Sequence, residues 1–371
     1  MSSRLDRIII VSRAITTLDI SKADTSSHKY ELTLAQSLAC YTAVTILSLA
    51  APADEGKTIG QAELIGLKAQ NKHFGRTLVR ALQQYRNENA VVLFWGFDPK
   101  VIGVILYSCL KTKHKCIAFE YDSYKPYVST LPQPKRLLCG LYLRVGMTMV
   151  RHCNGFILFQ RKAVTRLQIE RKKYLVCKPG FKAKQINRST DKDRFVVVYS
   201  GSFTKLNGIN SLLEAFDLLQ NEGIEFILCG EGPMEKEVIE AAEKFSFVHY
   251  GGLLKQAELD KVYEKADALL NLRVTNDEAM DFSFPSKLFE YISMQIPIIT
   301  TCILPEAEFA DNATIVDKLD AEHIAEAILS VRDNYAKAEL KARHLSDYIQ
   351  STYSNEEMTR QIYCFMEKIV Q

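Results

Sequence analysis

The fold is decided by residues 194–230, which read RFVVVYSGSFTKLNGINSLLEAFDLLQNEGIEFILCG. The runs at 194–200 and 224–230 are apolar through their centres, as strands buried on both faces of a parallel sheet must be. Between them an apolar stripe follows helical spacing, formed by Ile209, Leu212, Leu213, Phe216 and Leu219. A strand, a helix and a second strand in this order predict a β-α-β unit of a parallel sheet.

The same alternation of apolar runs and helix-length segments extends over the rest of the chain. The other runs are RIIIVS (7–12), AVTILSL (43–49), AVVLFW (90–95), KCIAFE (115–120), GFILFQ (155–160), FSFVHYGG (245–252), ADALLNL (266–272), IPIITT (296–301) and ATIVD (313–317). This rhythm predicts an α/β, doubly wound fold, and 371 residues are enough for two such domains.

A polar stretch, KPGFKAKQINRSTDKD at 178–193, separates the two predicted domains. It contains turn residues and shows no periodicity, which is typical of a linker. We therefore expect an N-terminal domain over 1–185 and a C-terminal domain over 186–350. Residues 351–371 have a helical apolar pattern, and we expect this helix to pack back on the N-terminal domain.

The formal net charge of +3 conceals a division between the two halves. Residues 1–190 hold 30 basic and 12 acidic side chains, whereas residues 191–371 hold 17 and 32. The basic excess is densest within 161–188 and at 111–115, KTKHK. A solvated face is one interpretation; an anionic membrane surface or a lipid-diphosphate acceptor is another. We do not expect a nucleic acid partner, because aromatic residues are not interleaved with the basic ones.

Several features predict a cytoplasmic protein, peripheral on the inner face of the cell membrane. The nine cysteines form no CxxC pair, which excludes zinc ribbons and redox motifs of that spacing and is typical of a reducing compartment. The first residues contain an apolar run of only four, too short for a secretory signal. Residues 32–53 are uncharged and long enough to span a bilayer. Their pattern nevertheless divides into a helix near 31–41 and a strand near 43–49.

A candidate anion site lies within 271–301, NLRVTNDEAMDFSFPSKLFEYISMQIPIITT. Ligands of open α/β sheets bind at the carboxyl ends of the strands, and Arg273 follows one such strand. Pro285 opens a helix, so Ser286 and Lys287 fall in its first turn. Free backbone N–H groups and the helix dipole attract an anion there.

Glu290 shares a helix face with Ser286 and Lys287. A carboxylate in this position can accept hydrogen bonds from both hydroxyls of a ribose. The same spacing also fits an ordinary surface pair between Lys287 and Glu290. The local pattern leaves both interpretations open.

Four segments, taken in order, resemble retaining glycosyltransferases of family 4. They are VVVYSGSFTKLNGINSLLEAF, FILCGEGP, FVHYGGLLKQAELDKVYEKADALLNLR and SFPSKLFEY followed by IPIITT. The resemblance covers roughly 194–301, the group 1 type donor domain, and the first domain matches only in its strand–helix rhythm. It implies the GT-B fold, in which two Rossmann-like domains face a cleft, and a nucleoside-diphosphate-sugar donor.

The resemblance also implies roles for individual residues. Glu290 would hold the ribose, and Lys287 and Arg273 would neutralise the diphosphate. The base would lie near 248–250. Catalysis is assigned to Asp122, Arg273 and Lys287, and donor binding to Gly201, Ser202, Lys205, Glu231, Gly232, Tyr250, Ser286 and Glu290.

The sequence departs from the family pattern at three positions. Phe282 stands where the family has an acid, eight residues before the ribose-binding Glu290. Ser202 replaces an arginine and Asn207 a lysine, for which Lys205 is a nearby substitute. These departures keep open a nucleotide-sugar-binding partner subunit without activity of its own.

The expected reaction is transfer of a hexose to a polysaccharide, glycolipid or lipid-linked acceptor. Fixed cations and helix N–H groups can stabilise a departing diphosphate without a metal, and we expect neither metal nor cofactor. The DKD triplet at 191–193 falls in the linker and is interpreted as solvated charge. Asp122 follows the strand 115–120 and is the candidate for positioning the acceptor hydroxyl, or else a turn-forming residue. A GT-B sugar-nucleotide epimerase is the remaining alternative.

Overall fold

The computed structural model describes residues 5–20, 26–50, 52, 55–67, 74–120, 132–178, 180–184, 194–274, 286–301 and 307–371. These residues form two compact units. Unit 1 contains the described residues up to Gly180 together with Asn355–Gln371, and unit 2 contains those from Phe181 to Ser354. The predicted domain boundary between 185 and 186 lies outside the described residues.

Unit 1 is built on an eight-stranded sheet. Its strands are β1 (Arg7–Ser12), β2 (Ala43–Ser48), β3 (Thr58–Ile59), β4 (Ala62–Gly66), β5 (Ala90–Trp95), β6 (Lys115–Glu120), β7 (Gly155–Leu158) and β8 (Lys173–Val176). Their order is β3-β4-β2-β1-β5-β6-β7-β8, and only the β3–β4 pair is antiparallel. The central strands are buried on both faces, as their continuous apolar runs predict.

Helices connect the strands of unit 1. They are α1 (Ser26–Leu38), α2 (Phe74–Gln83), α3 (Pro99–Thr112), α4 (Lys135–Val150) and α5 (Lys162–Leu167). Helix α3 begins after Asp98, whose carboxylate accepts hydrogen bonds from the backbone N–H groups of Lys100 and Val101. Pro99 occupies the first helical position, where its missing N–H costs nothing.

Unit 2 is built on a six-stranded parallel sheet. Its strands are β9 (Phe195–Ser200), β10 (Ile224–Cys229), β11 (Val248–Gly252), β12 (Ala268–Asn271), β13 (Ile298–Thr300) and β14 (Thr314–Ile315). Its helices are α6 (Ile209–Leu218), α7 (Glu235–Lys244), α8 (Gln256–Tyr263), α9 (Ser286–Ser293), α10 (Ala307–Asn312), α11 (Ala321–Asp333) and α12 (Tyr335–Thr352). The strand order is β11-β10-β9-β12-β13-β14, so the winding reverses beside β9. Open sheets of this kind bind ligands at that reversal.

The chain ends in helix α13 (Asn355–Val370), which belongs to unit 1. It packs against α1, and the ring of Tyr363 stacks on that of Tyr41 at 4.9 Å between centroids. Its apolar face is buried, with Ile362 and Met366 fully enclosed. The last helix therefore completes the core of unit 1.

The doubly wound α/β fold predicted from the sequence is confirmed. Each of the eleven apolar runs contains a strand, and the stripe after Gly208 forms α6. Residues 32–53 divide into the end of α1 and strand β2, as predicted. No helix in the described part of the chain is both long and apolar enough to cross a membrane. Three strands had no counterpart in the sequence prediction: the β3–β4 hairpin and β8.

Candidate functional site

A cavity of about 250 Å³ lies at the carboxyl ends of β9 and β10 in unit 2. It therefore sits beside the reversal of strand order. Its lining consists of Ser200, Gly201, Ser202, Cys229, Gly230, Glu231, Leu253, Leu254, Leu259 and Lys287. Four of the predicted site residues, Gly201, Ser202, Glu231 and Lys287, are thus brought together around one space.

Two glycines let the loops after β9 and β10 approach each other closely. The N–H of Gly201 donates to the carbonyl of Cys229 at 2.9 Å, and the N–H of Phe203 donates to that of Glu231 at 2.9 Å. A Cβ added to Gly230 would lie 2.0 Å from the Gly201 carbonyl oxygen. A Cβ added to Gly232 would lie 2.6 Å from that of Phe203. Only glycine fits at either position, because the backbone of one loop occupies the space that a side chain of the other would need.

The ammonium group of Lys287, in the first turn of α9, lines this cavity. Its Nζ lies 3.0 Å from Glu290 Oε2 and donates to the Tyr263 hydroxyl at 3.1 Å. The same Nζ lies 5.9 Å and 5.5 Å from the ring centroids of Tyr263 and Tyr291. The carboxylate and the two rings hold the cation in one position.

A network of buried hydroxyl groups fixes the position of Tyr263, the hydroxyl partner of Lys287. The Ser200 hydroxyl lies 2.6 Å from that of Tyr263 and 3.1 Å from that of Tyr291, and the Ser200 N–H donates to the Tyr291 hydroxyl. Burial raises the pKa of Tyr263 and that of Tyr291, so both remain neutral. This network ties the end of β9 to α8 and α9.

Glu290 has one oxygen in use and one without a partner. Oε2 meets Lys287, whereas Oε1 is buried and has no hydrogen-bond partner among the described residues. Buried carboxylate oxygens are almost always hydrogen-bonded in native proteins. The side chains of Lys287 and Glu290 are 32% and 27% exposed. The two side chains thus form an ion pair in which each partner is partly buried.

The thiol of Cys229, another lining residue, is affected by the charge of Lys287. Burial raises the pKa of its thiol to about 11, and the positive charge of Lys287 opposes that rise. The thiol is consequently neutral at physiological pH and acts as a small apolar lining group.

Arg273 lies after β12 and is not among the residues that line the cavity. Its N–H donates to the Thr301 hydroxyl at 2.7 Å, and its carbonyl accepts from the same hydroxyl. Burial raises the pKa of Tyr199. A hydrogen bond with Asn207 and the positive charge of Arg273 make this rise in the pKa smaller. The Tyr199 hydroxyl itself donates to the carbonyl of Ser202, which lines the cavity.

The remaining predicted residues fall in several places. Lys205, Gly232, Tyr250 and Glu290 are not among the lining residues, nor is Ser286. The Tyr250 hydroxyl donates to Glu235. His249 pairs with Glu225 at 2.8 Å. Ser286 is the first residue of α9. Asp122, Phe282 and the DKD triplet lie outside the described residues.

Sequence reasoning missed two groups of residues at this site. The first is the Ser200, Tyr263 and Tyr291 network, whose tyrosines follow helical spacing and resemble ordinary core residues. The second comprises the three leucines that line the cavity: Leu253, Leu254 and Leu259. The only signal in the sequence for Leu253 and Leu254 was their position directly after the strand 248–252, near the expected base pocket. Leu259 lies within α8 and gave no signal.

Comparison with known proteins finds a similar sequence and similar folds. Over 206 residues the chain is 24% identical to the alpha-monoglucosyldiacylglycerol synthase of Acholeplasma laidlawii, an alignment that covers 48% of this chain and 50% of that protein. The alignment thus spans about half the length of this curated relative.

Two solved structures share the fold over nearly the whole chain. Sucrose-phosphate synthase from Thermosynechococcus elongatus superimposes with a TM-score of 0.72 at 15% identity, covering 98% of this chain and 99% of that one. HepE of Anabaena, solved in complex with UDP-glucose, gives 0.65 at 13% identity over 98% and 99%.

The two Rossmann-like units therefore have the fold of GT-B glycosyltransferases. The cavity, the Lys287–Glu290 pair and the tyrosine network all fall within residues 181–357. That part of the chain matches the family Glycosyl transferases group 1.

Proposed function

We propose that this protein transfers a hexose from a nucleoside-diphosphate-sugar to a saccharide or lipid-linked acceptor, as a retaining glycosyltransferase of family 4. The observation that carries the proposal is the unpartnered, buried Oε1 of Glu290, one helical turn from a cation held at the cavity. A carboxylate oxygen in that position needs a hydrogen-bond donor, and a ribose hydroxyl supplies one.

The residues that line the cavity suit the diphosphate of the donor. Lys287 and the free N–H groups at the start of α9 offer positive charge to a diphosphate. The loops at Gly201 and Gly230 present backbone to the same space. In the reaction, the bond between the anomeric carbon and the diphosphate oxygen breaks while the oxygen of the acceptor hydroxyl bonds to that carbon. The proton of the hydroxyl passes to the departing diphosphate. Lys287 stabilises the charge that develops on the diphosphate, and Arg273 is assigned a supporting role from the loop side.

This scheme requires no metal, because the chain itself supplies the compensating charge. We expect transfer to continue in the presence of EDTA. Asp122 is proposed to position the acceptor hydroxyl.

The acceptor is proposed to be a glycolipid or a lipid-linked saccharide at the cytosolic face of a membrane. The name of the Acholeplasma relative describes synthesis of a glucosylated diacylglycerol. The excess of basic residues in 1–190 suits an anionic surface.

The experiment is a binding and transfer panel on the full chain. Isothermal titration with UDP, ADP and GDP identifies the base, and the corresponding sugar nucleotides are then incubated with diacylglycerol and oligosaccharide acceptors. NMR of the product reports whether the anomeric configuration is retained. Absence of binding by all nucleoside diphosphates would overturn the proposal.

One observation favours a second candidate, a donor-binding subunit without activity. The resemblance implies an arginine at position 202 and a lysine at position 207, where this chain has Ser202 and Asn207. The Asn207 side-chain amide donates to the Ser202 carbonyl at 2.8 Å, and neither side chain carries a positive charge. Donor binding without transfer or hydrolysis by the purified chain would select this alternative.

A further inference from the structure

Helix α4 exposes an apolar surface that the proposed donor site does not explain. Among its 16 residues, KRLLCGLYLRVGMTMV, only Gly146 and Val150 are buried. Five large apolar side chains are between 46% and 64% exposed: Leu137, Leu138, Leu141, Tyr142 and Val145. In the described part of the chain, no other helix exposes more than two such side chains. Water-exposed apolar groups concentrated in this way mark a binding surface.

The helix is attached through its C-terminal half. A Cβ added to Gly146 would lie 1.7 Å from the Phe97 carbonyl oxygen, so the backbone of α4 touches the segment before α3. Leu143, Met147 and Met149 are half-buried against the core of unit 1. Both of the buried residues of α4 lie in this half, and no residue of its first two turns is buried.

The middle of α4 contacts the loop that follows β5, at the carboxyl edge of the unit 1 sheet. Phe97 and Asp98 follow the carboxyl end of β5, and the Tyr142 hydroxyl donates to Asp98 at 2.9 Å. Open parallel sheets receive ligands at the carboxyl ends of their strands. An acceptor bound by unit 1 would therefore meet the exposed turns of α4.

The charges on α4 identify the kind of partner. Lys135, Arg136 and Arg144 are exposed, and the helix contains no acidic residue. An apolar helix surface bordered by cations and a tyrosine suits the headgroup layer of an anionic bilayer, where apolar side chains enter the lipid and the cations remain at the phosphates.

We propose that α4 binds unit 1 to an anionic membrane surface by inserting Leu137, Leu138 and Leu141 below the headgroups. This proposal deepens the proposed function by stating which surface meets the lipid, and its acceptor side rests on that function. It differs from purely electrostatic binding by the basic stretch 161–188, whose described residues carry no exposed large apolar side chain.

The test is vesicle co-sedimentation of the full chain. We expect binding to vesicles of 30% phosphatidylglycerol in phosphatidylcholine, and at least a tenfold fall in the partition coefficient for the double variant Leu137→Gln, Leu141→Gln. The matched control is Leu340→Gln, an exposed leucine of α12 in unit 2, which should bind as the wild type does. A second comparison, Arg171→Gln with Lys172→Gln, should change binding less than threefold.

Thermal unfolding midpoints equal to that of the wild type show that the variants fold. Wild-type binding by the leucine double variant would overturn the proposal, as would absence of vesicle binding by the wild type. A dimer that dissociates in the double variant would also overturn it, because a second copy would then cover α4. Nucleoside diphosphate titration needs no vesicles, so failure of this proposal and failure of the proposed donor site are distinguishable.

Discussion

Lys287 and Glu290 form an ion pair in which only half of the carboxylate is used. Oε2 lies 3.0 Å from the lysine Nζ, whereas Oε1 is buried without a partner among the described residues. An unsatisfied buried acceptor costs folding free energy, and a ligand hydroxyl that donates to it recovers that cost on binding. The pair therefore leaves one buried carboxylate oxygen without a donor next to a cation.

Replacement of Glu290 by alanine should weaken donor binding. Loss of a hydrogen bond to a charged group costs about 1.5–3 kcal/mol, which corresponds to roughly a ten- to hundredfold rise in Kd. Isothermal titration with the nucleoside diphosphate that binds best in the panel measures this change. Glu243→Ala, at an exposed position on α7, is the matched control and should keep the wild-type Kd. An unchanged Kd in Glu290→Ala would show that the ribose does not bind to Glu290.

Lys287→Met should affect the phosphates rather than the nucleoside. The aliphatic part of the side chain is retained between the rings of Tyr263 and Tyr291, while the charge is lost. We expect the Kd of the nucleoside diphosphate to rise at least tenfold and that of the monophosphate to rise less. Titration of both ligands at 50 mM and 300 mM NaCl provides the check, because screening should narrow the gap between wild type and variant. An equal loss for both ligands would contradict a diphosphate contact.

Tyr263 is expected to act as a positioning residue for Lys287. The variant Tyr263→Phe removes the 3.1 Å contact with Nζ but leaves the ring in place. Ser200 keeps its hydrogen bonds with Tyr291, so we expect the fold to persist with a Kd three- to tenfold higher. In a Lys287→Met background the same change should have no further effect on the Kd. A purely structural role would give the same loss in both backgrounds.

The sequence predicted most of the sheet because the strands of doubly wound folds are apolar on both faces. Runs such as RIIIVS and RFVVVYS have few other uses in a soluble chain. The β3–β4 hairpin escaped prediction because β3 has only two residues, both exposed. Strand β8, KYLV, starts with an exposed lysine and none of its residues is fully buried, so it lacks a strong apolar signal.

The part of the candidate site that lies within one helix was predictable from the sequence. The run SFPSKLFEY places Lys287 and Glu290 on one face by helical geometry alone. The Ser200–Tyr291 contact joins residues 91 positions apart, and spacing carries no information about such a pair. The leucines of the cavity were likewise missed, because an apolar lining residue is indistinguishable from core in a single sequence.

Gly230→Ala tests the close approach of the loops that follow β9 and β10. The new methyl group would lie 2.0 Å from the Gly201 carbonyl oxygen, at a backbone φ of +143°. We expect a loss of about 1–3 kcal/mol in the free energy of unfolding, seen as a lower thermal midpoint, together with weaker nucleotide binding. The control is Gly75→Ala in α2, where the nearest atom lies at 3.5 Å and alanine favours the helix. Equal midpoints for the two variants would show that the loops are not tightly fitted.

Glu120→Gln should stabilise unit 1, and increasingly so as the pH rises. Glu120 ends β6, is buried, and has an Oε1 without a hydrogen-bond partner among the described residues. Burial raises the pKa of this carboxyl well above 4.5, so the folded protein keeps a proton that the unfolded chain releases. The contribution of this carboxyl to the free energy of unfolding is therefore fully present below pH 4.5, its pKa in the unfolded chain. That contribution is lost as the pH rises towards the pKa in the folded protein, by at most about 1.4 kcal/mol per pH unit. Glutamine does not titrate, so the thermal midpoint of the variant should exceed that of the wild type by a margin that widens from pH 5 to pH 8. Glu243→Gln, on the surface of α7, should show no such widening, and a constant margin for Glu120→Gln would mean that this carboxyl is already ionised in the fold.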